Sequence, residues 1–145
     1  MTIQAVLAPL FVQVALTFAL LLWMGSRRIG AIQRGEVAAG DIALGQKNWS
    51  ERTLQVGNAF QSQFELPLLF YVLIILAWIT RQADLLFVVM AWLFVAFRII
   101  HAVIHTTSNR VSQRFLVFLL GAAVLVTMWG IFALRILLAP MAGLP

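Results

Sequence analysis

Four long apolar stretches, separated by short polar ones, dominate the chain. They run roughly over 5–24, 64–80, 85–105 and 115–138. Each is near the roughly 20 residues a helix needs to cross the hydrocarbon core of a bilayer. Polar positions between them predict the connections: a long segment around Gly25 to Ser50, a tight Arg81-Gln82-Ala83-Asp84 turn, and a short one holding Asn109 and Arg110. Ser50 is placed to cap a helix that starts at Glu51 below the membrane and only later turns apolar. Asn109 is similarly placed before the last helix, and the Pro140 and Pro145 tail is expected to break it. The pattern predicts an all-α integral membrane protein, a four-helix transmembrane bundle in one domain over 1–145.

Composition strengthens this reading. Of 145 residues, 63% are hydrophobic and only 10% charged, against about 25% charged in soluble domains. The mean hydropathy is +0.99. The first stretch has no Lys or Arg ahead of it and is followed by Arg27 and Arg28, so a retained helix is expected rather than a cleaved signal. Without cysteine, disulfides and thiolate metal sites are excluded. The net charge of +5 lies in loops beside the spans, where it orients the protein and meets anionic lipid, not nucleic acid. Arg27, Arg28, Arg34, Lys47 and Arg52 fall in the first connection, Arg110 and Arg114 in the third. The positive-inside rule therefore puts those two loops in the cytoplasm and both termini outside.

Polar residues at membrane depth are costly, about 2.5–3.5 kcal/mol each on insertion scales, and mark functional candidates. Gln55, Asn58, Ser62 and Glu65 recur at spacings of 3, 4 and 3, on one helical face, with Gln61 nearby. Arg98, His101 and His105 recur at 3 and 4 on another. Either face is a polar seam between packed helices or the wall of a ligand cavity. An Arg98–Glu65 ion pair is expected to join the two. His101 and His105 are spaced as a pair of zinc ligands, but no further ligand accompanies them and no metal is expected. Arg110 and Arg114 lie about one turn apart where the last helix begins, either oriented to the membrane surface or lining an electropositive pocket.

Three stretches carry a resemblance to a known family. Glu51-Arg52-Thr53-Leu54 leads into Gln63-Phe64-Glu65-Leu66-Pro67; then come Arg98-Ile99-Ile100-His101 and Asn109-Arg110-Val111-Ser112-Gln113-Arg114. In order and spacing they resemble the MAPEG family, membrane-associated proteins in eicosanoid and glutathione metabolism, and the proline-bearing stretch most resembles bacterial members. The resemblance implies a homotrimer in a bacterial inner membrane, with glutathione as cosubstrate between subunits and a lipophilic small molecule as second substrate. It implies a transferase or peroxidase with Arg114 beside the glutathione sulfur as catalytic residue. Arg98, His101, Arg110, Glu65, Asn58 and His105 are the implied glutathione contacts, His105 standing where many members have tyrosine. Catalytic members carry a second-helix pattern close to Glu-Arg-x-x-Arg-Ala-x-x-Asn-x-x-Glu. Here Gln55 stands at its second arginine, and an ungapped reading puts Ala59 and Ser62 at its asparagine and second glutamate. A non-catalytic protein of the same fold, binding a lipid or small molecule, is the alternative.

Overall fold

A computed structural model describes residues 1–138; the expected break at Pro140 and Pro145 lies outside the described residues. Helix α1 spans Ile3–Gln33, α2 Glu51–Gln61, α3 Leu66–Ile79, α4 Leu85–Thr106 and α5 Val111–Leu137. Short 3₁₀ turns occupy Ala39–Ile42 and Ser62–Phe64. With α2 and α3 taken as one interrupted rod, four helices are long and apolar enough to cross a membrane.

Local chemistry sets the boundaries. The Thr2 hydroxyl accepts from the Ala5 N–H and caps α1. That helix runs well past its apolar part, carrying Arg27 and Arg28 beyond the span before Gly35, at φ +71°, turns the chain out. Pro67, at the first turn of α3, lacks an N–H and cannot continue a helix from before it. The rod therefore breaks over Ser62 to Glu65, and α3 resumes at Leu66. Asp84 caps α4 by accepting from the Phe87 N–H at 2.8 Å, and it also pairs with Arg135 of α5 at 2.6 Å. Ser50 holds the expected N-cap position of α2, but its hydroxyl donates to Thr53 Oγ1 and makes no cap bond. Arg110, not Asn109, holds the cap position of α5.

The main core lies between α3, α4 and α5, where Phe70 stacks on Phe94 with centroids 4.6 Å apart. Leu20, Ala59 and Ala102 form a second cluster in which small side chains let α1, α2 and α4 approach closely. Large apolar residues such as Phe11, Leu22, Ile75 and Val126 face outward, as the bilayer as solvent requires. Within the bundle, Gln13 of α1 donates to Gln63 Oε1 at 2.9 Å, and Gln63 donates to the Ala59 carbonyl. One bond of this pair thus joins α1 to the α2–α3 rod, while Gln13 Oε1 stays buried without a partner.

Candidate functional site

The break between α2 and α3 does more than bend the rod. It ends a run of helical hydrogen bonds, and helix ends leave carbonyls free. One of these, Ser62 O, accepts from Arg98 Nη2 at 2.9 Å, and the Ser62 hydroxyl accepts from the same nitrogen at 2.9 Å. Arg98 is buried, and its Nε and Nη1 have no partner. The expected Arg98–Glu65 ion pair is not formed: among the described residues the only ion pairs are Arg34–Glu36 and Arg135–Asp84. The helix break explains the difference. It brings Ser62 against Arg98 and leaves Glu65 exposed past the kink.

At the end of the bundle that carries both basic loops, three elements enclose a cavity of about 410 Å³. That is within the roughly 300–1,000 Å³ of small-molecule sites. The end of α2 contributes Asn58 and Gln61 to its wall, and the break after it Ser62 and Glu65. Helix α4 contributes His101 and His105, and α5 contributes Val111, Arg114, Phe115 and Phe118.

The two imidazoles meet edge to face, with centroids 5.6 Å apart. Both are at least nine-tenths buried, and both Nδ1 atoms lack a partner. His101 also leans on Phe118, 6.0 Å between centroids. Arg114 is held in place by Asn109, whose Oδ1 accepts from Nη1 at 2.6 Å. Asn109 manages this from a left-handed backbone, φ +49°, a conformation that asparagine tolerates. The open N-terminus of α5, at Val111, faces the same cavity and adds the positive end of a helix dipole.

Of the residues marked in the sequence, Asn58, Glu65, His101, His105 and Arg114 come together on this one wall. Arg98 does not line it but lies behind Ser62. Arg110 is exposed and outside the lining. Gln55 is turned away as well: it donates to the His105 and Thr107 carbonyls and closes the C-terminus of α4. Ala59 is fully buried in the packing of α1 and α4. Val111 and Phe115 were not marked from the sequence, although with Arg114 and Phe118 they recur at helical spacings of 3, 4 and 7 on α5. Among the described residues no three potential metal ligands cluster.

The MAPEG family model matches residues 6–134, reaching into all four spans. The chain belongs to the MAPEG family. No curated protein and no solved structure matches it. Family membership makes it an integral membrane bundle, in keeping with its helices and its lipid-facing apolar surface. It belongs to a family that includes glutathione transferases and peroxidases.

Proposed function

We propose that this MAPEG protein binds glutathione in the basic-end cavity and uses it as a transferase or peroxidase on lipophilic substrates. The observation that carries the reading is the placement of Arg114. Its guanidinium borders the cavity, is anchored by Asn109 and stands beside the N-terminus of α5. A free thiol has a pKa near 8.5 and is mostly protonated at neutral pH. A permanently charged guanidinium within about 4–6 Å stabilises the thiolate and lowers that pKa by about 1–3 units.

The residues present fit the ligand's polar groups. Arg114 would hold the sulfur as thiolate, and Glu65, the one acidic residue of the lining, would hold the ammonium. His101 and His105, with buried unpartnered ring nitrogens, would take polar atoms of the peptide. Glutathione would supply a nucleophilic or reducing sulfur to the second substrate. Phe115 and Phe118 line the cavity, and from about one turn further along α5 a separate apolar groove is lined by Leu66, Leu69, Ala122, Val126 and Trp129. A lipophilic molecule would reach the sulfur along that face. We further propose a homotrimer in a bacterial inner membrane, with the basic end in the cytoplasm and the termini outside, and a single domain throughout.

Thiolate absorbance of glutathione bound to detergent-purified protein tests this reading. A thiolate at neutral pH, together with loss of turnover in Arg114→Ala without loss of the oligomer, is the expected result. Unchanged turnover in that variant would sink the assignment.

A second reading has its own support. Gln55 is spent on the end of α4, and Ala59 is buried, so α2 offers the cavity neither an arginine nor that asparagine. This favours a non-catalytic member that binds a lipid or small molecule with no thiol dependence. A glutathione-dependent reaction would rule it out.

A further inference from the structure

The cation behind the cavity wall makes no ion pair among the described residues. Arg98 is 2% exposed, and no carboxylate of the described residues lies within ion-pair distance of it. Its Nη2 donates to Ser62 twice, to the carbonyl and to the hydroxyl. An uncompensated charge away from water is expensive, and such groups are normally paired.

Ser62 connects this charge to the cavity. It is 6% exposed and lines the cavity wall. A hydroxyl accepts at its lone pairs and donates one proton. The Ser62 oxygen accepts from Arg98, and no acceptor among the described residues takes its proton. The buried group with a donor to spare therefore stands in the wall, polarised from behind by a guanidinium. Hydrogen bonds in such a chain strengthen one another at low local dielectric. Beside it the buried His101 offers a second unpartnered polar edge.

We propose that Ser62 is the anion-recognition residue of this cavity: it donates to a ligand carboxylate while Arg98, one bond behind, supplies the compensating charge. The ligand class is a small-molecule carboxylate. One carboxylate carries the single negative charge that balances the Arg98 guanidinium. This rests on the reading of the cavity as a glutathione site, where one of the peptide's two carboxylates would occupy the position. It does not depend on the thiol.

The test uses S-methylglutathione, which keeps both carboxylates and lacks the thiol, and its diethyl ester, which lacks both charges. Binding is followed by calorimetry on the full chain in detergent. A hydrogen bond to a charged group corresponds to roughly ten- to a hundredfold in affinity. Ser62→Ala should weaken S-methylglutathione by that factor and leave the diester unchanged. Ser62→Glu carries its own carboxylate to Arg98; it should bind S-methylglutathione no better than Ser62→Ala and melt at higher temperature than wild type without ligand. Ser62→Ala binding S-methylglutathione within twofold of wild type overturns the proposal. So does an absence of binding to wild type at millimolar concentration. Thiolate absorbance with glutathione separates the two claims. A thiolate in wild type with Ser62→Ala unaffected leaves the glutathione reading standing and removes the role of Ser62. A Ser62-dependent affinity for S-methylglutathione without any thiolate does the reverse.

Discussion

Asn109 offers a way to move Arg114 without removing it. Its Oδ1 holds Arg114 Nη1 at 2.6 Å, and its backbone sits at φ +49°. Asn109→Gly removes the anchor while keeping, and even easing, the left-handed turn, because glycine has no Cβ to clash there. Asn109→Ala removes the same anchor but adds the cost of forcing alanine into that region, about 1–2 kcal/mol. If Arg114 lowers the bound thiol's pKa by about 1.5 units, the group moves from about 8.5 to about 7. At about pH 7.5 the thiolate fraction then rises from roughly one-tenth to roughly three-quarters. Arg114→Ala should raise the bound pKa by about one unit rather than the full shift, since the α5 N-terminus still borders the cavity. Asn109→Gly should raise it by about half as much, because the guanidinium remains but spends less time in place. The assay is the thiolate absorbance of bound glutathione against pH in all three variants, with thermal unfolding alongside. Asn109→Ala should match the glycine variant in pKa and fall below it in melting temperature. A wild-type pKa in Arg114→Ala would refute the electrostatic argument outright. A wild-type pKa in Asn109→Gly alone would show that Arg114 needs no anchor.

Asp84→Ala removes a helix cap and one side of the Arg135 pair together. It should cost about 1–2 kcal/mol, mostly from the cap because the pair is half exposed. The same residue gives a pH dependence. The Arg135 side-chain bond, then the Phe87 N–H, hold the Asp84 carboxyl below the usual carboxylate range. The lowered value means that its stabilisation is intact at neutral pH and fades as pH drops below about 4. Melting curves of wild type and Asp84→Ala should therefore converge in acid; a constant gap down to the lowest pH would contradict this. In the core, a double-mutant cycle on Gln13→Leu and Gln63→Leu should return a coupling of about 0.6 kcal/mol, and no more than about 1.7. The single changes should be worse than the double, because each leaves a buried amide unpaired. Additive effects would mean that the bond contributes nothing to packing.

Periodicity and composition alone determined that this chain is a bundle of membrane-crossing helices. A run of some 20 apolar residues has one stable solution in lipid: every backbone group must be satisfied within its own segment. The same one-dimensional information marked Asn58, Glu65, His101, His105 and Arg114, because polar side chains at membrane depth stand out against an apolar background. Helical spacing also made it possible to say which of them share a face. What spacing could not supply is how two helices are rotated and kinked against each other. The Pro67 break, over Ser62 to Glu65, turned the expected Arg98–Glu65 pair into an Arg98–Ser62 bond and moved Glu65 to the far side of the kink. Gln55 shares the helical face of Asn58, yet it was drawn away by the open carbonyls at the end of α4, fifty residues along the chain. Val111 and Phe115 are ordinary apolar residues in sequence and become cavity walls only because α5 packs beside α4. Tertiary packing decided these partnerships because a buried donor takes whichever acceptor the packed backbone brings within reach, and that depends on three-dimensional proximity rather than on residue type.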